Sequence, residues 1–118
     1  MAYLRQYCGR YLYEINNGRV RRYCGPMEYE MYNDTIFREY CGRALYELYD
    51  GRYIREYCGR ILYEFDGHYL REYCGRFLYE LYDDCYIREY CGRILYQIEG
   101  NYSDTDLIAI MIMLVKRL

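Results

Sequence analysis

The constraint that dominates this chain is a glycine following a cysteine at a near-constant interval. Cys-Gly pairs begin at residues 8, 24, 41, 58, 74 and 91, a spacing of 16 or 17, and four of them lie in the string Arg-Glu-Tyr-Cys-Gly-Arg. A second turn signal falls midway, at Asn17-Gly18, Asp50-Gly51, Asp66-Gly67, Asp83-Asp84 and Glu99-Gly100. A long helix is excluded, because each internal glycine costs about 1 kcal/mol relative to alanine. The runs between turns are strand-length and rich in Tyr, Ile and Leu, so the chain reads as successive hairpins.

Side-chain parity decides how the strands associate. In residues 52–57, Arg52, Ile54 and Glu56 share one face, and Tyr53, Arg55 and Tyr57 share the other. A narrow parallel solenoid would bury stacked like charges on either face, which is too costly. An antiparallel meander avoids this. With Cys58-Gly59 at the turn, Tyr57 faces Arg60, Arg55 faces Leu62, Tyr53 faces Glu64 and Ile54 meets Tyr63. Where the loop is Tyr49-Asp50-Gly51, a G1 bulge is expected to keep Tyr46 opposite Ile54. Glycine is assigned the positive φ of each turn, which leaves the recurring cysteine without a role in turn chemistry. The more apolar face gathers Leu4, Tyr11, Tyr13, Ile15, Val20, Met27, Tyr29, Met31, Phe37, Leu48, Ile54, Ile61, Phe65, Leu70, Phe77, Leu81, Ile87, Ile94 and Ile98, and is read as the core face.

The last segment changes character. Ser103 reads as an N-cap, Asp104 and Asp106 as an acidic first turn, and Lys116 and Arg117 as a basic last turn. Between them LIAIMIMLV is apolar all round and wants cover on every side. The expected fold is mainly β: an antiparallel β-meander of about six tandem 16–17-residue hairpin repeats over residues 1–102, curled around one C-terminal α-helix at 103–118, in a single domain. Eleven or twelve strands laid flat would extend over roughly 50 Å, more than a helix of about 22 Å covers. The apolar remainder motivates a homo-oligomer, a dimer, as the expected partner state.

Composition narrows the function classes. The 118 residues include 21 Tyr, one His, one Pro and no Trp, with 16 basic against 18 acidic side chains. That balance lacks the basic excess of a nucleic-acid binder and the high net charge of a disordered chain. The apolar run Leu107–Val115 is well short of the roughly 20 residues of a membrane helix, and the first residues, MAYLRQYCGR, contain no apolar signal core. No nucleic-acid or membrane partner is therefore expected, and the location is read as cytoplasmic. Seven cysteines cannot all pair within one chain and are read as thiols.

Three candidate sites follow. In a meander the Cys-Gly turns share one edge, about 9.5 Å apart, too far for a disulfide or tetrahedral zinc. No metal or cofactor is expected unless curling or another chain gathers the thiols. His68 has no nucleophile and orienting group beside it, and Glu56 and Glu72 recur as repeat positions, so no enzyme is expected. The third site is the row of turn tyrosines interleaved with arginines. Its candidate interaction surface is Tyr40, Arg43, Tyr57, Arg60, Tyr73, Arg76, Tyr90 and Arg93, with cation–π contacts between them. It is either a self-supporting ladder or a ligand surface for flat or polyhydroxylated groups.

The pattern at 52–67, x-Tyr-Ile-Arg-x-Tyr-x-Gly-Arg-x-Leu-Tyr-x-x-Asp-Gly, resembles short Tyr- and Asp-Gly-rich hairpin repeats of uncharacterised bacterial proteins. It is also similar to MORN-type hairpin arrays, although its period differs and the Gly-Glu-Trp core is missing. The resemblance spans residues 1–102 and implies a hairpin array without catalytic residues. The expected function is a non-enzymatic structural or protein-interaction repeat protein that self-associates. The alternatives are a ligand-binding module using the Tyr/Arg face, or a metal or redox protein using the Cys-Gly edge.

Overall fold

The computed structural model describes residues 1–117. Among them the strands are β1 (Ala2–Gln6), β2 (Tyr11–Asn16), β3 (Arg19–Arg22), β4 (Met27–Tyr32), β5 (Ile36–Glu39), β6 (Ala44–Tyr49), β7 (Tyr53–Glu56), β8 (Ile61–Phe65), β9 (Tyr69–Glu72), β10 (Phe77–Tyr82), β11 (Tyr86–Glu89) and β12 (Ile94–Gly100). The helix α1 follows at Asp104–Val115. Each strand pairs antiparallel with its chain neighbours, and β1 also pairs with β12, from Ala2↔Gly100 to Gln6↔Tyr96.

The sheet is therefore a closed twelve-stranded barrel. This corrects three expectations. The fold is not an open β-meander of tandem hairpin repeats. The resemblance to hairpin-repeat families and MORN arrays does not describe it. The self-associating repeat protein loses its premise, because closure leaves no free sheet edge and turns the apolar face onto α1.

Bulges close the barrel. After each Cys-Gly turn the register skips one residue: Leu12, Glu28, Leu62, Leu78 and Leu95 each fall out of the ladder, as does Leu45 between Ala44 and Tyr46. The carbonyl of each skipped residue accepts the N–H of the next turn tyrosine, for example Leu45 from Tyr57 at 3.1 Å and Leu62 from Tyr73 at 2.9 Å. A bulge bends its strand and steepens the local twist, and repeated bulges are a means of closing a sheet. Tyr53↔Glu64 and Ile54↔Tyr63 pair as the parity argument has them, but beyond the bulge Arg55 meets Ile61 rather than Leu62. The residues just after each turn consequently leave the expected core face. Phe77 is exposed, and Tyr11 stacks on Tyr23 outside the barrel. Across Asp50-Gly51 the partner of Ile54 is Leu48, not Tyr46. Asp50 and Gly51 both have positive φ, and Arg52 N–H donates to Tyr49 O, a type I′ turn.

The turn chemistry also differs. The cysteines, not the glycines, adopt the left-handed conformation, with φ of 54° at Cys8, 53° at Cys41 and 56° at Cys58. The adjoining glycine is needed for space. A Cβ on Gly59 would stand 2.8 Å from Glu56 Cβ, and one on Gly42 would stand 3.0 Å from Glu39 Cβ.

An eight-stranded barrel is just filled by its own side chains, so twelve strands leave a bore. The molecule measures 37 × 33 × 21 Å, a short wide ring. A helix of 12 residues, about 18 Å long, matches its height and occupies it, which explains why α1 is apolar all round. Leu107 to Leu114 are all buried. One residue per repeat meets the helix at mid-height: Leu4, Val20, Phe37, Ile54, Leu70 and Ile87, each 0–1% exposed. Outside, the waist carries Arg–Glu pairs: Arg21–Glu14, Arg38–Glu30, Arg55–Glu47, Arg71–Glu64 and Arg88–Glu80, at 2.7–3.2 Å. At the seam Arg5 pairs with Glu99 at 2.6 Å, and Tyr11 O–H donates to the same carboxylate at 2.7 Å, fastening β12 across β1 to β2. These bonds hold the Glu99 carboxyl below its ordinary pKa. No described helix is long and apolar enough to cross a membrane, and the charged waist is unlike the apolar outer band of a membrane barrel.

Candidate functional site

The two ends of the ring differ chemically. One end carries the Cys-Gly turns, the other the Asp-Gly type. At the Cys-Gly mouth each repeat packs a tyrosine against the core, namely Tyr13, Tyr29, Tyr46, Tyr63, Tyr79 and Tyr96. Each shares its face with the residue opposite it: Arg22, Glu39, Glu56, Glu72, Glu89 and Gln6 in the same order. Burial raises the pKa of Tyr13, Tyr29, Tyr46 and Tyr79 above the ordinary phenol value.

The helix is tethered to one wall. Ser103 caps it, accepting from Asp106 N–H while Ser103 N–H donates to Asp106 Oδ2. The same buried carboxylate reaches outward, and its Oδ1 accepts the Gly18 N–H at 2.6 Å. At the other end Lys116 Nζ lies 5.3 Å from the Tyr29 ring centroid, a cation–π contact. Both ties fall on the β2–β4 side. One cleft opens at the Cys-Gly mouth between β8 and β11, and another at the Asp-Gly end, from the β4–β5 turn to the β8–β9 turn.

The cleft at the Cys-Gly mouth has a volume of about 420 Å³. Leu114, Val115 and Arg117 form its helix side, and Tyr63, Glu72, Tyr79 and Glu89 its barrel side. The lip is Arg76, Phe77, the bulged Leu78 and Tyr90. Phe77 and Tyr90 stack at 4.8 Å with 23° between planes, and Tyr69 meets both edge-on. Arg76 approaches Glu72 at 3.7 Å, both well exposed, so neither charge is neutralised by a tight pair. Beside Tyr79, Glu89 adds to the rise in phenol pKa caused by burial, and Arg117 opposes it.

The residues singled out from sequence are placed as follows. Tyr40, Tyr57, Tyr73 and Tyr90 stand at successive turns of the Cys-Gly rim, 43–46% exposed. Arg43, Arg60, Arg76 and Arg93 follow two residues after the cysteines. Of the eight, Arg76 and Tyr90 line the cleft, and the other six do not. Among the described residues the expected Tyr/Arg interleaving forms none of the cation–π contacts. Three of them join waist arginines to tyrosines toward the other end: Arg38 over Tyr32 at 4.3 Å, Arg55 over Tyr49 at 5.1 Å and Arg88 over Tyr82 at 5.5 Å. Sequence reasoning weighed Glu72 and set it aside as a repeat position, and it missed Glu89, Tyr63 and Tyr79 as site residues. Parity with inward Ile54 already puts Glu56 and its equivalents Glu72 and Glu89 on the inner face.

All seven cysteines are free. Six are exposed and strung around the rim, with Cys85 partly covered near the opposite end. Among the described residues no three His, Cys, Asp or Glu side chains converge as metal ligands. His68 lies at the Asp-Gly end, 3.2 Å from Glu80 and edge-on to Tyr69 at 4.3 Å.

Comparison with known proteins gives no further guide. No family model matches this chain, and no significant match is found among curated proteins or solved structures.

Proposed function

We propose that this barrel is a non-catalytic binding module that takes a small polyhydroxylated, sugar-like ligand in the cleft at its Cys-Gly mouth. The observation that carries this reading is the mixed chemistry of that cleft, where the one ion pair, Arg76–Glu72, is loose at 3.7 Å. Glu72 and Glu89 only accept hydrogen bonds, Arg76 and Arg117 only donate, and the Tyr63 and Tyr79 hydroxyls do both. A hydroxyl-rich ligand offers a donor and an acceptor at every group and suits all six. A phosphate would face two carboxylates, and a cation would face two guanidinium groups. The Phe77–Tyr90 stack offers a flat amphipathic lip for the apolar face of a sugar ring. The volume is within the range of small-molecule sites.

Calorimetric titration with a panel of mono- and disaccharides tests the proposal, with nucleosides and amino acids as the counter-panel. The expected result is saturable binding of at least one sugar at millimolar concentration or below. Glu89→Gln or Arg76→Ala should weaken it about tenfold, the value of one hydrogen bond to a charged group. Binding confined to the counter-panel, or sugar binding indifferent to both substitutions, would remove the reading.

A further inference from the structure

The Cys-Gly rim breaks its own rule on one wall. In four repeats the turn is bracketed by a glutamate and by an arginine four residues on: Glu39 and Arg43, Glu56 and Arg60, Glu72 and Arg76, Glu89 and Arg93. Each bracket is neutral, and two of them approach at 3.7 Å. The first two repeats depart from this. Gln6 takes the glutamate position before Arg10, and Arg22 takes it before Pro26. Strands β1 and β3, which carry the two exceptions, flank β2, so both fall on the same wall. The register then sets Tyr96 opposite Gln6 and Tyr13 opposite Arg22, where the other rim tyrosines face glutamates.

A cavity of about 220 Å³ opens at this place. Its lining is Gln6, Arg10, Leu12, Tyr13, Arg22 and Tyr96, with no carboxylate among them. Arg22 donates through Nε to Glu28, which lies outside the lining. Arg10 makes no ion pair among the described residues, so a single carboxylate stands against two guanidinium groups. The negative end of α1 lies at this mouth, and Lys116 and Arg117 follow it directly and offset it. Tyr13 is only 8% exposed, yet its hydroxyl has no hydrogen-bond partner among the described residues. It is not sealed in either, because Arg5 Nε is the one fully enclosed side-chain nitrogen or oxygen left unpartnered there. The Tyr13 hydroxyl is thus a nearly buried donor that opens into the cavity it lines. Arg10 and Arg22 only donate, and the Gln6 amide and both phenols can donate. We infer that this cavity is a second binding site, for a small oxyanion (a carboxylate or phosphate group) held by Arg10, Arg22 and the Tyr13 hydroxyl. Its chemistry is the reverse of the sugar cleft, where Glu72 and Glu89 would repel the same group.

The experiment is an NMR titration of the whole protein with inorganic phosphate and with acetate, against chloride at matched ionic strength. Phosphate, acetate or both are expected to shift the Arg10 and Arg22 Nε–H signals and the Gln6 side-chain amide saturably, and chloride is not. The tighter of the two names the group. Gln6→Glu installs the residue that four other repeats already carry at this position, and should lower the affinity at least about tenfold. Arg10→Gln removes a charge-assisted donor and should lower it about tenfold. Tyr13→Phe should lower it about fivefold and leave the unfolding midpoint unchanged, because the hydroxyl has no partner in the protein to lose. The Arg76 and Tyr90 signals should not move, which separates this site from the sugar cleft. Equal shifts with chloride, shifts centred on Arg76 and Tyr90, no saturable shift, or an affinity unaltered by both Gln6→Glu and Arg10→Gln would overturn the inference. The comparison with chloride on the unmodified protein decides the matter if a variant fails to fold.

Discussion

The β2–β4 wall and the β6–β10 wall are built from the same repeat, yet only the first holds the helix. On the first, Asp106 binds the Gly18 N–H and Lys116 lies over Tyr29. On the second the cleft at the Cys-Gly mouth opens, and the cleft at the Asp-Gly end reaches it from the β4–β5 turn. The repeat alone would give six equivalent walls around a bore. A single straight helix cannot satisfy six equivalent walls, so it commits to one side and leaves space on the other. The clefts are the consequence of a symmetric ring meeting an asymmetric plug.

The strongest way to break that contrast is to cut the tether. Asp106→Ala removes the acceptor of two buried or half-buried N–H groups, those of Gly18 and Ser103. It should cost about 3 kcal/mol, read from urea unfolding. Asp104→Ala, on the exposed first turn, should cost only about 0.5 kcal/mol. Equal effects of the two would mean that the tether does not hold the helix.

A finer probe compares the two walls through glycines of the same conformation. Gly18 has φ of 78° and Gly51 has φ of 75°. Alanine at either position meets the left-handed penalty of roughly 1 kcal/mol. At Gly18 it also crowds Met31 and Thr105, which should add about 1–2 kcal/mol. Gly51→Ala should therefore be the milder change, by that margin, in the same unfolding measurement. A reversed order would show that the open wall is the better packed one.

Much of the ring is written locally. The Gly-punctuated period marks eleven or twelve strands, and Ser103 with the acidic first turn marks the start of α1. The inward position of Ile54 and its equivalents follows from period-two parity. Closure was not legible from parity alone, because it depends on bulges. Their trace is there in Ile61-Leu62-Tyr63, three apolar residues where alternation predicts two, and in the same run at Phe77-Leu78-Tyr79 and Ile94-Leu95-Tyr96. The seam was harder to see. Gln97 stands where the other repeats carry the waist glutamate, and Glu99, two residues on, takes Arg5 instead. The site was legible only in part. Tyr90 and Arg76 recur visibly, but the helix that forms one side of the cleft is positioned in part by one aspartate reaching one glycine 88 residues away, and no local pattern carries that.

The smallest expected effect concerns the rim, where the two walls should behave alike. Cys24 on the held side and Cys58 on the open side have φ of 54° and 56°. Cysteine gains nothing from this conformation, whereas asparagine adopts it readily, as Asn17 does at φ of 52° in the turn beside the tether. Cys24→Asn and Cys58→Asn should each raise stability by up to about 1 kcal/mol. Cys58→Val, with its branched Cβ, should lower it by a similar amount. Thermal unfolding of the three variants measures this. Equal gains at both positions would show that the turns are set by their own four residues and not by the helix, which confines the asymmetry to the plug. A gain at Cys58 alone would mean that the tether strains the rim as well. Glu14 makes that outcome specific, since it accepts the Cys24 N–H at 3.2 Å and has its own pKa lowered chiefly by that bond. No change at either cysteine would show that the left-handed turn costs these residues nothing, and the recurrence of cysteine would then have to be sought in the exposed thiols themselves.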